Sequence, residues 1–75
     1  MERLLSVMDQ ILQGDYMECK DFLEEGLLDS LEMMDLVEAL EEEFEIEIAG
    51  RDIVPENFTN VETIAKLVTK YVGDL

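Results

Sequence analysis

The sequence predicts an all-α fold, a small bundle of three main helices plus one short helix, with a long loop between helices 1 and 2. Three observations predict it. Apolar residues recur at helical spacing in three separate stretches, and capping residues stand where two of those stretches begin. The one strand-like run, Glu45-Ile46-Glu47-Ile48, has no second strong strand to pair with. A single domain, residues 1–75, is the expectation, because so short a chain buries only about 60% of the surface its unfolded form exposes and supports one small core. Such a size leaves no room for a catalytic cleft.

The first helix is expected from Glu2 to Gln13, where Leu4, Leu5, Met8, Ile11 and Leu12 form an apolar stripe and Gly14-Asp15 ends it. From Gly14 to Leu28 no period persists. Tyr16, Met17, Phe22, Leu23, Leu27 and Leu28 are nevertheless too apolar for a free tail, so this loop is expected to pack back on the helices and to position the turn that follows it.

The second helix, from about Leu31 to Phe44, follows Asp29, a strong N-cap residue with Glu32 three positions later as in a capping box. Leu31, Met34, Val37, Leu40 and Phe44 have the spacing of its core face, with Met34 inward and Met33 partly exposed. Glu32, Asp35, Glu38, Glu41, Glu42 and Glu43 fall elsewhere. Acidic side chains oppose the dipole in a last helical turn, so Glu41 to Glu43 are poorly placed for local stability, and a violated local rule often marks a functional surface.

Beyond it, Glu45 to Ile48 reads as an extended loop anchored by Ile46 and Ile48. Pro55 tolerates the first helical position and starts a short turn through Phe58. Thr59-Asn60-Val61-Glu62 has a capping-box pattern and opens the last helix, which sets Val61, Ile64, Ala65, Val68, Tyr71 and Val72 on one face and stops at Gly73. Phe22, Leu40, Phe44, Ile48, Ile64, Ala65 and Val68 are the expected core, and an apolar core alone defines no ligand pocket.

Charge and missing residue types narrow the chemistry. Twenty acidic against five basic residues give a net charge of −15, which excludes direct binding to nucleic acid or an anionic membrane and suits basic partner surfaces. No Lys or Arg lies between Lys20 and Arg51. The chain has no His and a single cysteine, Cys19, so neither a Ser-His-Asp nor a Cys-His arrangement is available, and Cys/His zinc sites fail with them. No metal ligands are assigned. An EF-hand also fails, because no Asp-x-Asp-x-Asp-Gly loop exists, although weak surface binding of divalent cations remains compatible with the charge. One cysteine forms no intramolecular disulfide, no apolar run is long enough for a signal peptide or membrane span, and the expected location is the cytoplasm.

Ser30 carries the functional expectation. With Asp29 capping, Ser30 falls in the first helical turn with its hydroxyl free, where unbonded N–H groups and the positive end of the helix dipole seat a phosphate ester well. A serine at a helix start is common, and by itself marks nothing more. Its setting is distinctive: Asp29-Ser30-Leu31, then Leu36-Val37-Glu38-Ala39-Leu40-Glu41-Glu42-Glu43-Phe44 and Glu47-Ile48, closely resembles the acyl carrier proteins, whose Asp-Ser-Leu serine carries 4'-phosphopantetheine. The resemblance covers most of the chain and is most specific from Asp29 to Ile48, where motif and helix match without a gap.

That resemblance implies an acyl-carrier-like bundle with Ser30 as the covalent attachment point for 4'-phosphopantetheine, flanked by the motif residues Asp29 and Leu31. It implies a carrier without catalytic residues, most simply a monomer. Its partners would be a phosphopantetheinyl transferase and acyl- or aminoacyl-loading and acyl-processing enzymes with basic docking surfaces. The second helix would be the recognition helix: Leu31, Met33 and Met34 as apolar contacts, and Asp35, Glu41 and Glu42 at acidic docking positions. Glu38, grouped with this docking face, departs from the apolar residue many fatty-acid carriers have there. Leu28 departs from the small residue usual before the Asp, and Phe22 to Ser30 looks more like D-alanyl carrier proteins loaded by an adenylating ligase.

Two readings therefore stand beside an acyl carrier: a D-alanyl or aminoacyl carrier, and an unmodified acidic helical interaction module. Under any of them a charge of −15 on so small a core makes self-repulsion costly. The melting temperature is expected to rise with added salt or millimolar divalent cation, and thermal melts across ionic strength check this.

Overall fold

A computed structural model describes residues 1–12 and 14–73. Its helices are α1 (Glu2–Ile11), α2 (Ser30–Phe44) and α3 (Val61–Val72), with 3-10 turns at Gly50–Asp52 and Pro55–Phe58 between the last two. Among the described residues there is no strand, and Ile46 to Ala49 runs as the expected extended loop. Helix α1 ends at Ile11, and the predicted end at Gln13 lies outside the described residues. The turn at Gly50–Asp52 was not foreseen.

The core is one apolar cluster fed by every segment. Leu4, Val7 and Met8 enter from α1, Phe22 and Leu28 from the long loop, Leu36, Val37 and Leu40 from α2, and Ile64, Leu67 and Val68 from α3. Ile48 and Phe58 close it from the connection between α2 and α3, while the expected core residues Phe44 and Ala65 are only partly buried. The long loop does pack inward, except for Met17, which is 60% exposed.

Helix α2 corrects the predicted core face. Its core-facing stripe is buried Leu36, Val37 and Leu40 with partly buried Met33 and Phe44, whereas Leu31 is 77% exposed and Met34 47% exposed. At 100° per residue Leu31 points away from Leu36 and Leu40, so the two apolar series of this helix share a period and differ in phase. The roles expected of Met33 and Met34 are exchanged.

Helix α3 is capped one residue later than predicted. Asn60, rather than Thr59, accepts from the Thr63 N–H at 3.0 Å, and the Thr63 hydroxyl accepts from the Asn60 N–H at 3.1 Å. Asn is the stronger cap, and the Thr59 hydroxyl is left to pair with Thr63 Oγ1 at 3.2 Å.

Few cations serve many carboxylates, and two of them, Arg3 and Lys70, tie elements together. Arg3 donates from Nε to Glu43 at 2.8 Å and lies 4.8 Å above the Phe44 ring, joining α1 to the end of α2. Glu41 receives the Ile48 N–H at 2.9 Å, fixing the loop that leaves α2. Glu45 ends the helix in the left-handed region at φ 54°, where glycine is the usual occupant.

Asp52, buried at 8% exposure, accepts from the Tyr71 hydroxyl and from Lys70 Nζ at 3.0 Å, while Tyr71 in turn accepts from the Ala49 N–H at 3.0 Å. The Tyr71 hydrogen bond first, then Lys70, holds the Asp52 carboxyl below its ordinary value of 3.8.

Two predictions follow from this packing. Denaturant unfolding should show Leu36→Ala losing about 3 kcal/mol, the cost of a core cavity, and exposed Leu31→Ala changing stability by less than about 0.5 kcal/mol. A carboxyl depressed in the folded state stabilises above its unfolded pKa and ceases to do so as pH falls through the folded one. The gap in melting temperature between the parent chain and Asp52→Asn should therefore be widest near neutrality and close below about pH 4.

Candidate functional site

The turn that presents Ser30 is built by backbone hydrogen bonds and two carboxylates. Asp21 Oδ1 accepts from the N–H groups of Leu23 and Glu24, both at 3.1 Å. Glu25 Oε2 accepts from those of Lys20 at 3.0 Å and Asp21 at 3.2 Å, and these backbone bonds hold its carboxyl below the ordinary carboxylate value. Gly26 supplies the reversal at φ 80°, a conformation that costs other residues strain. The Leu28 N–H then closes on Phe22 O at 3.1 Å, with both side chains in the core. The large residue before Asp29 is thus a packing residue.

Asp29 caps α2 as the sequence predicts. In extended conformation, it accepts the Glu32 N–H at 2.7 Å, and Glu32 Oε1 accepts the Asp29 N–H at 3.1 Å. Ser30 follows as the first residue of the helix, exposed, and no described residue hydrogen-bonds its hydroxyl. The N–H groups of Ser30 and Leu31 likewise take no acceptor among the described residues. An exposed primary hydroxyl beside two free N–H groups at the positive end of a fifteen-residue helix fits a phosphodiester.

Around Ser30 the helix displays the predicted docking residues in two sets. Leu31, Met34, Asp35, Glu38 and Glu42 are exposed and share the face opposite the core. Met33 and Glu41 do not join them: Met33 packs against the core and Glu41 is half-buried with one oxygen on Ile48. No group of three or more His, Cys, Asp or Glu able to hold a metal ion occurs among the described residues. No described helix is long and apolar enough to cross a membrane.

Other titratable groups lie in structural settings. Tyr16 is pushed up to about 12, mainly by donating its hydroxyl to the Asp9 carboxylate, and so pins the loop to α1. Burial, then the Glu25 carboxylate, pushes the Cys19 thiol up. Open grooves of about 290 and 410 Å³ lie along α3 and at its start, and Ser30 lines neither. Sequence reasoning missed Asp21 and Glu25, whose roles are local turns, and the link from the start of α3 to this loop, in which Thr59 O accepts the Phe22 N–H at 2.6 Å.

Comparison with known proteins agrees with this geometry. A family model described as the phosphopantetheine attachment site matches residues 19–68. An acyl carrier protein of Buchnera aphidicola subsp. Baizongia pistaciae (strain Bp) is 46% identical over 44 residues, 59% of this chain and 54% of that relative. The match thus spans about half the length of the curated relative. No solved structure matches the chain significantly. The prosthetic group of the family is covalently attached 4'-phosphopantetheine. With two thirds of its length matched by that model, a capped serine turn within the match and an all-helical fold, the chain belongs to the acyl carrier protein family.

Proposed function

We propose that Ser30 is the attachment point of 4'-phosphopantetheine and that the chain is a non-catalytic carrier of acyl or aminoacyl groups. The observation that carries this reading is the exposed, unengaged Ser30 hydroxyl directly after the capping residue of α2. When attached, the group supplies a thiol that holds the cargo as a thioester. The chain's own residues supply address and presentation.

Ser30 Oγ would be the nucleophile toward the pantetheine-bearing phosphorus of coenzyme A: the Oγ–P bond forms as the pyrophosphate P–O bond breaks, adenosine 3',5'-bisphosphate leaves, and the hydroxyl proton passes to a base on the transferase. The chain contains no His, and the carboxylates that flank Ser30 in the cap, Asp29 and Glu32, are each engaged by a backbone N–H group. The free N–H groups of Ser30 and Leu31 favour the phosphodiester that results. Leu31 and Met34 give apolar contacts within an acidic rim of Asp35, Glu38 and Glu42, which suits basic docking surfaces on a phosphopantetheinyl transferase and on loading and acyl-processing enzymes. In this reading the chain acts as one carrier domain, monomeric and cytoplasmic.

Intact mass after incubation with coenzyme A, magnesium and a broad-specificity phosphopantetheinyl transferase should rise by one phosphopantetheinyl group, and Ser30→Ala should show no rise. Asp35→Lys with Glu42→Lys should raise the transferase KM about tenfold at low salt and less at high salt. A parent chain left unmodified by several transferases would overturn the carrier reading and leave an acidic interaction module.

A further inference from the structure

We propose that Asn60 is a positioning residue for Ser30, coupling the cap of α3 to the cap of α2 through the long loop. The inference rests on Ser30 as the modified residue. Asn60 uses both ends of its side-chain amide. Its Oδ1 accepts the Thr63 N–H at 3.0 Å and starts α3, while its Nδ2 donates to Lys20 O at 3.2 Å, forty residues away in sequence. Because a backbone N–H and a backbone carbonyl flank the amide, only one of its two orientations satisfies both.

Beside this bond, Thr59 O accepts the Phe22 N–H at 2.6 Å. Two consecutive residues at the start of α3 thus grip the loop on either side of Asp21. Residues 20–25 are already bound together by the Asp21 and Glu25 carboxylates. Among the described residues, these two bonds are the only hydrogen bonds from that unit to another element. The unit hands its position on: Phe22 O receives the Leu28 N–H at 3.1 Å, Leu28 is buried, and the next residue is the cap, Asp29. A shift of the grip is transmitted along a short, hydrogen-bonded path to the turn that carries Ser30. Neither grip residue belongs to the exposed face of α2 that would meet a partner.

Asn60→Ser separates the two tasks, since a serine hydroxyl caps a helix as well as Asn but has no donor positioned for Lys20 O. Asn60→Asp is the second variant, keeping the cap acceptor and setting a carboxylate against that carbonyl. Amide hydrogen exchange should show α3 protected in both, with the Phe22 and Leu28 amides exchanging about fivefold faster, the effect of one net hydrogen bond. The transferase kcat/KM for Ser30 should fall severalfold in both variants, including the charge-neutral Ser. Parent-like exchange at Phe22 and Leu28 with α3 intact would overturn the coupling, as would parent-like modification kinetics. An unmodified parent chain would instead overturn the carrier reading, and the exchange comparison would still decide whether Asn60 couples the two caps.

Discussion

The Asp29 side chain decides where α2 begins, and packing of that helix against α1 decides which of its residues meet water. By accepting the Glu32 N–H it makes Ser30 the first helical residue, and the rest of the face follows at 100° per residue. Met33, Leu36, Val37 and Leu40 are then inside, while Leu31, Asp35, Glu38 and Glu42 are outside. A cap one residue later would be Ser30 itself, and its hydroxyl would then be engaged rather than free. The same interaction therefore starts the helix and leaves its serine available.

Charge imposes the second order on the fold. Of five basic residues, Arg3 and Lys70 are committed to Glu43 and Asp52, each joining segments far apart in sequence. Glu41 is likewise drawn back to the Ile48 N–H. Carboxylates at the C-terminal end of α2, where the helix dipole repels them, are thus partly answered by tertiary contacts. Asp35, Glu38 and Glu42 on the outward face receive no such answer among the described residues, and a basic partner could neutralise them.

Local rules made much of this legible. Asp29 with Glu32, Pro55 at the head of its turn and Gly73 after α3 each act through neighbours within a few residues, and the structure places them where their chemistry predicts. The phase of α2 was not legible from spacing, because Leu31 and Met34 continue an apolar series as regular as that of Met33 and Leu36, and only packing against α1 distinguishes them. Thr59 and Asn60 competed for one cap, and the Asn side chain prevailed while the Thr59 hydroxyl found Thr63. Burial of Asp52 depends on Lys70 and Tyr71, eighteen and nineteen residues away, a distance over which the sequence carries no local mark. The serine motif was readable because it needs only its own turn.

Cys19 gives the fold a chemical selectivity. Thioesters exchange with thiolates, and a carrier with a reactive sulfur of its own would divert its cargo to a dead-end site. The single cysteine of this chain is 8% exposed, with its thiol pushed up by burial and by the neighbouring Glu25 carboxylate. In the proposed carrier, a thiol so screened would offer no competing nucleophile to a thioester held on the arm at Ser30. Burying one small side chain in the long loop would thus protect the fidelity of the proposed transfer as well as filling the core.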